Sequence, residues 1–287
     1  MRPFDWAAPT SVDQTLRLLG EHGAGASLLA GGQSYMILLR QGLVVPEVLI
    51  GLKGVPELAA VAGDGDGGLR LGAMVTYHVA ATYPGVAGRL PVLAAAAGSV
   101  GSVHIRNLGT VGGSLCHADP AGDVPTVLLT LDATLQTLRP DGAAAGYPAD
   151  DFFRGLFETR LADDELLAWI DVPAQPAGAT FGYRRFSFRH GEYPMAVAAC
   201  RLGWEGGRCV EPRVAVGGGG LHPARLPELE RLLDGAPAGE VAAAAAADEP
   251  YESLRPLADV RGGEGWKRRV VVSLVRDTVA EALGARS

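Results

Sequence analysis

Two glycine-bearing segments hold the residues best suited to chemistry. One is Leu29-Ala30-Gly31-Gly32-Gln33-Ser34. The other is Asn107-Leu108-Gly109-Thr110-Val111-Gly112-Gly113-Ser114, which runs on through Leu115-Cys116-His117-Ala118-Asp119-Pro120 to Asp123. Each places paired glycines beside a hydroxyl residue, just after an apolar stretch. Glycine admits positive φ and carries no Cβ. Successive amides can then face one concavity and hold an anion. Two such segments in one chain point to a ligand with two phosphates, gripped from both sides. Taken as residues alone, each also reads as an ordinary structural turn.

Other reactive types form weaker patterns. His117 and Asp119 could pair on a metal, but no third ligand lies nearby in sequence, so the site would be poor. Cys116 has no neighbouring cysteine and reads as a small buried hydrophobe. Gly217 to Gly220 lacks the lysine of a P-loop and reads as a turn or bulge between strands. No Ser/His/Asp set and no carboxylate pair stands out as a proton-transfer engine, and no Gly-x-Gly-x-x-Gly fingerprint is present.

The elements around the glycines can be read from periodicity. Thr10 to His22 reads as a helix capped by Thr10 or Ser11, with Val12, Leu16, Leu18 and Leu19 on its apolar side. Ala26 to Ala30 reads as a strand entering the first glycine segment, Tyr35 to Arg40 as a helix, and Val48 to Ile50 as a second strand. In this β-turn-α-β unit a phosphate near the helix N-terminus is favoured. Asp64 to Gly68 reads as a turn and Leu69 to Ala73 as a strand. Leu90 to Val100 and Asp123 to Leu131 read as helices, and Leu135 to Leu138 and Leu166 to Val172 as strands. Pro173 to Gly178 is the best boundary. Beyond it come strand-like Tyr183 to Phe188, Met195 to Gly203 and Arg213 to Val216. Helices follow at Pro227 to Leu233, Ala238 to Ala247 and Trp266 to Leu283. No fixed-period repeat appears.

With 287 residues, 48% apolar and 20% charged, the chain can bury a large core in two or more packed units and is not disordered. Its net charge of −7, with no basic block, argues against a nucleic-acid or anionic-membrane partner. The three cysteines suit a reducing compartment and cannot supply a four-cysteine iron–sulfur cluster. No signal-peptide core and no apolar run of membrane-spanning length is seen, so the expected location is cytoplasmic.

At its two glycine segments the chain resembles the FAD-binding medium subunit of molybdenum hydroxylases, the family of the carbon monoxide dehydrogenase medium subunit and the xanthine dehydrogenase flavin domain. The family's Ala-Gly-Gly-x-Ser turn corresponds to Ala30–Ser34. Its Arg-Asn-x-Gly-Thr-[Ile/Val]-Gly-Gly-[Asn/Ser] turn corresponds to Arg106–Ser114, followed by Asp119-Pro120. Glu165 to Pro173, Tyr183 to Arg189 with Glu192-Tyr193, Ala224 to Gly235, and the helix beginning Trp266-Lys267-Arg268-Arg269 extend the likeness over nearly the whole chain.

The resemblance implies an α+β protein. Two α/β subdomains of the vanillyl-alcohol-oxidase-like FAD fold, 1–55 and 56–175, would hold FAD between them. A C-terminal domain of antiparallel strands and helices, 176–287, would complete the chain. It implies an FAD-carrying electron-transfer subunit in a dimer of heterotrimers. A large subunit would carry molybdopterin and a small subunit two [2Fe–2S] clusters. Substrate would be oxidised at molybdenum, and electrons would pass through the clusters to FAD and on to NAD, a quinone or oxygen. A stand-alone FAD-dependent oxidase or reductase, or a flavin-free scaffold, would be the competing readings. FAD would carry the redox chemistry, so no single acid–base residue of this chain is expected to be indispensable.

It also implies a set of cofactor contacts. Ala30, Gly31, Gly32, Gln33 and Ser34, with Thr110, Gly112, Gly113 and Ser114, would cradle the pyrophosphate and ribityl chain through backbone amides and hydroxyls. Ser114 stands where many relatives have asparagine. Asp119 and Asp123 would face FAD; Asp123 reads equally as a helix N-cap. Leu167 would give a backbone contact to the flavin ring, or is simply a core strand residue. Arg184 takes the place of a flavin-contacting lysine, with Arg185 as the register alternative and a solvated basic pair as the plain reading. Tyr193 would lie over the isoalloxazine ring and gate access to it, or is an ordinary strand residue before Pro194.

Overall fold

The computed structural model describes residues 2–63, 65–189 and 191–285. The first strands and helices are β1 (Asp5–Ala7), α1 (Val12–His22), β2 (Ala26–Leu29), α2 (Tyr35–Gln41) and β3 (Val48–Gly51). Ser11 is the cap of α1: its hydroxyl accepts from the Gln14 amide at 3.2 Å, and Gln14 Oε1 accepts from the Thr10 amide at 2.8 Å. That reciprocal pair satisfies donors the helix leaves open. The strands form a parallel sheet in the order β1-β3-β2, with all four residues of β3 buried at its centre.

The middle of the chain is larger. It comprises β4 (Val61–Gly63), β5 (Leu69–Gly72), α3 (Tyr77–Thr82), α4 (Pro84–Arg89), α5 (Pro91–Ser99), α6 (Val103–Leu108), α7 (Val111–His117) and α8 (Asp123–Thr130). Then follow β6 (Thr134–Leu138), β7 (Ala144–Pro148), α9 (Ala149–Phe152), β8 (Phe153–Gly155), β9 (Glu158–Thr159) and β10 (Leu166–Val172). An antiparallel sheet of order β4-β5-β10-β6-β7 places the last of these strands at its centre. All eight residues of α8 are buried, so this helix is enclosed on every side. Asp64, part of the expected turn before β5, lies outside the described residues.

The last part is an antiparallel sheet of β11 (Thr180–Phe186), β12 (Ala196–Glu205), β13 (Arg208–Gly217) and β14 (Ala224–Arg225), followed by α10 (Pro227–Leu233), α11 (Ala238–Ala246) and α12 (Glu264–Gly284). Side chains alternate across a strand, and here both faces are covered. Ala199 and Ala215 join the core around α8, while Ala198, Cys200, Val214 and Val216 join the core around α10 and α12. This explains the unbroken apolar run from Met195 to Cys200, which shows no period-2 pattern. The expected strands Met195–Gly203 and Arg213–Val216 prove to be one long hairpin. It turns at Gly206 and Gly207, both at positive φ, with Glu205 opposite Arg208. Polar Glu205, Arg208 and Glu211 hid its solvent-exposed end.

An electrostatic joint at Asp132 links the last sheet to the middle of the chain. Asp132, just past α8 and at φ 52°, pairs with Arg213 Nε at 2.8 Å and Arg201 Nη1 at 3.0 Å. Arg201 is 3% exposed. Arg225 pairs with Glu230 and reaches within 3.8 Å of Asp132.

Candidate cofactor site

The two glycine segments meet. A Cβ on Gly31 would lie 1.9 Å from the carbonyl oxygen of Leu108, so only glycine lets these backbones touch. A Cβ on Gly113 would lie 3.3 Å from that of Ala30. Gly32, at φ 70°, turns the chain out of β2 and into α2. Among the described residues the amides of Gly32, Gln33 and Ser34 donate to no protein acceptor, and Ser34 forms no side-chain cap. Gln33 is turned inward, its Nε2 donating to Gly31 O at 2.9 Å. The Tyr35 hydroxyl is buried and also lacks a partner.

The second segment differs from expectation. It is not an open turn but the start of helix α7. Thr110 is the N-cap, its Oγ1 accepting from the Gly113 amide at 3.0 Å. The Gly112 amide donates to Ala73 O at 2.9 Å, Val111 to Val75 O at 2.9 Å, and Ser114 to Thr110 O at 3.1 Å. These amides are already used within the protein, so they form no phosphate nest. Gly112 is there for proximity instead: a Cβ would fall 2.5 Å from that of Ala73. The Ala73 amide in turn donates to Ala168 O at 2.9 Å, at an irregularity in β10 next to buried Leu167. Leu167 thus lies in β10 next to Ala168, whose carbonyl holds the Ala73 that accepts from α7.

A polar cluster flanks α7 and the start of α8. The Tyr77 amide donates to Gly109 O at 2.9 Å, and burial pushes its phenol up to about 12, with Ser114 acting to lower it. Asp119 Oδ1 accepts from the Ala121 amide at 2.9 Å, and burial raises its carboxyl. Asp123 is 5% exposed. It is the first residue of α8 rather than its cap, a place held by Gly122. Its Oδ1 accepts from Tyr183 Oη at 2.6 Å and lies 3.1 Å from Arg185 Nε. Burial drives the Asp123 carboxyl up to about 6, and the Arg185 charge and the Tyr183 hydroxyl hold it back from going higher. Tyr183 Oη also meets Ser99 Oγ at 2.7 Å, and burial followed by the Asp123 charge raises its phenol. Tyr193 keeps 48% of its surface exposed. Burial at its hydroxyl end, then Asp119, Tyr77 and Asp123, push that phenol up.

The structure therefore gathers Ala30 to Ser34, Thr110 to Ser114, Asp119, Asp123 and Tyr193 about one region. It does not bring Arg184 there. On β11 Arg184 faces α12, where its Nε meets Glu281 at 3.0 Å; its neighbour Arg185, on the opposite face, reaches Asp123. Tyr77, Tyr183 and Arg185 belong to the cluster without having been singled out as leading candidates. The alternation Tyr183-Arg184-Arg185 carried the signal, since residues two apart share a face. Cys116, read as buried, is exposed on α7. His117 packs against Phe157, ring centres 5.2 Å apart. Gly218 is a strand-end turn whose amide donates to Pro120 O at 2.6 Å. No group of three or more metal-ligating side chains occurs among the described residues.

These residues fit a flavin dinucleotide. Unpartnered amides at residues 32–34 offer donors for phosphate oxygens. The Ser34 and Ser114 hydroxyls add polar contacts, and half-exposed Tyr193 offers an aromatic face.

Residues 2–175 match the model of the FAD binding domain in molybdopterin dehydrogenase, and residues 181–282 that of the carbon monoxide dehydrogenase flavoprotein C-terminal domain. The chain is 36% identical over 282 residues to the nicotine 6-hydroxylase medium subunit of Paenarthrobacter nicotinovorans, covering 98% of each. In structure it is similar to carbon monoxide dehydrogenase from Hydrogenophaga pseudoflava, at TM-score 0.93 and 32% identity over 100% of this chain and 99% of the other. It is similar as well to quinoline 2-oxidoreductase from Pseudomonas putida 86, at TM-score 0.90 and 31% identity over 99% and 98%.

Proposed function

This chain belongs to the family of FAD-binding medium subunits of molybdenum hydroxylases, and on that premise we propose that it passes electrons from a partner subunit to a final acceptor. FAD, when bound, supplies the redox chemistry. The chain supplies the seat. The amides of Gly32, Gln33 and Ser34 hold the diphosphate. The junction of Gly31 with Leu108 at the end of α6, and of Ala30 with Gly113 in α7, fixes the first glycine segment beside α7, so that Ser114 faces the same ligand. Asp123 orients polar groups of the cofactor, and Tyr193 covers the ring while leaving an edge open to the acceptor. Leu167 contributes through its backbone.

The single observation that carries this reading is the row of unpartnered amides at residues 32–34 beside a second glycine segment in van der Waals contact. In our reading the FAD seat is divided between 1–55 and 56–175, with 176–287 closing over it. A large molybdopterin subunit and a small [2Fe–2S] subunit complete a dimer of heterotrimers in the cytoplasm. NAD, a quinone or oxygen is the acceptor. The stand-alone oxidase is not favoured, because the similar proteins include a medium subunit and a medium chain of larger enzymes.

Affinity purification from the native host tests the proposal. A yellow-brown complex with FAD, iron, molybdenum and two further chains supports it. A single colourless chain that stays colourless with added FAD overturns it.

A further inference from the structure

Arg185 touches three separate segments at once. Its Nη1 donates to Ser99 O at 2.6 Å, at the end of α5. Its Nε lies 3.1 Å from Asp123 Oδ1, at the start of α8, as an ion pair whose N–H is not aligned for a hydrogen bond. Its Nη2 donates to Glu192 O at 2.8 Å, on the loop between β11 and β12 and one residue before Tyr193. The side chain is 15% exposed. A guanidinium suits this task because its donors form a fixed planar fork, whereas an ammonium is a point charge on a flexible stem.

The other anchors of that loop hold its base, not its Tyr193 end. The Met195 amide donates to Phe186 O at 2.8 Å and closes the loop on itself. Phe188 stacks on Trp266 with ring centres 6.1 Å apart and planes 5° apart. Arg189 approaches Glu192 at 3.7 Å, but it is 84% exposed and contributes little. Among the described residues, the tie from the Tyr193 end to the buried Asp123 is therefore Arg185.

We propose that Arg185 is a positioning residue that sets Tyr193 and Asp123 in register with each other across the cofactor site. This rests on the reading that Tyr193 faces the flavin ring. Without Arg185, Tyr193 has no fixed stand-off from the ring, and Asp123 keeps only its Tyr183 bond.

The test uses the full chain reconstituted with FAD and three variants: Tyr193→Leu, Arg185→Gln and Arg185→Lys. A tyrosine face held against a flavin quenches its emission. Tyr193→Leu is expected to brighten bound FAD. Arg185→Gln is expected to brighten it comparably although Tyr193 is intact, and to weaken FAD retention about fivefold, the loss of one positioning hydrogen bond. Arg185→Lys is expected to fall between wild type and Arg185→Gln. Combining Tyr193→Leu with Arg185→Gln should brighten FAD no further than either alone, because both changes act on one contact. If Tyr193→Leu brightens the flavin and Arg185→Gln leaves wild-type emission, the positioning role is refuted while the site reading stands. If Tyr193→Leu changes nothing, the site reading fails and takes the proposal with it. Should Arg185→Gln not fold, Arg185→Lys decides: intermediate emission supports the role and wild-type emission refutes it.

Discussion

Helix α8 is tied to the same four-stranded sheet at both ends, and the two ties differ. At its start, buried Asp123 meets Arg185 and Tyr183 from β11, both on one oxygen. Just past its end, Asp132 meets Arg213 and Arg201 through both oxygens, with Arg225 close by. The second joint sets more than one guanidinium against a single carboxylate that is partly open to solvent. The first sets one guanidinium against a carboxylate so buried that desolvation carries its carboxyl up to about 6. A buried ion pair is weak evidence of stability, because desolvation offsets attraction. The contrast therefore separates a joint in which two guanidiniums share one carboxylate from a joint in which a buried carboxylate keeps a raised affinity for its proton. Perturbed carboxylates gather at functional sites.

The largest effect should come from the Asp132 end. Arg201→Ala is expected to cost about 3 kcal/mol, the low end for breaking a buried pair because Asp132 keeps Arg213. It should lower the midpoint of urea unfolding while the folded fraction still binds one FAD. Loss of FAD at full stability would mean the two ends do not divide their duties this way.

Gly31→Ala follows. The added methyl meets the Leu108 carbonyl, so backbones must part at a cost of about 2 kcal/mol. Here FAD retention should collapse out of proportion to the change in melting temperature. Unaltered FAD stoichiometry would show that contact between the two glycine segments is dispensable.

A pH series sharpens the comparison further. The Asp123 carboxyl stands at about 6 when folded against 3.8 for its ordinary value, so the native state holds the extra proton between those limits. Its contribution to stability is full below pH 3.8, falls as pH rises to about 6, and is constant above that. The apo wild type should therefore lose stability across that window relative to Asp123→Asn. Parallel melting curves for the two proteins from pH 4 to 6.5 would contradict the assignment. The smallest thermodynamic effect is that of Tyr193→Leu, below about 0.5 kcal/mol for an exposed ring. Its mark should be on acceptor reduction rates, measured by stopped flow, and not on melting.

Much of this was legible in the residues because it is local. Ser11 as a cap, the β2-to-α2 turn at Gly32 and the alanine-rich α5 follow from types and spacing. The flavin family follows from ordered motifs around the same glycines. What escaped is what only packing decides. Arg184 and Arg185 exchange roles with a one-residue change of face, and nothing local says which face of β11 meets α8. Gly112 and Gly113 look like loop glycines until Ala73 and Thr110 are seen to take their amides. Asp123 resembles a cap until Gly122 is found in that position. The Asp132 joint draws arginines from three strands, a coincidence that no linear pattern encodes.

The meeting of Gly31 with Leu108 also sets an order of events. Residues far apart in translation must both have reached their final places before the dinucleotide has a seat. Half-made chains should stay pale, and yellow colour should appear only when the amino-terminal sheet has docked onto the finished middle of the molecule. Pigment gained during refolding would then time that docking directly, with no added label.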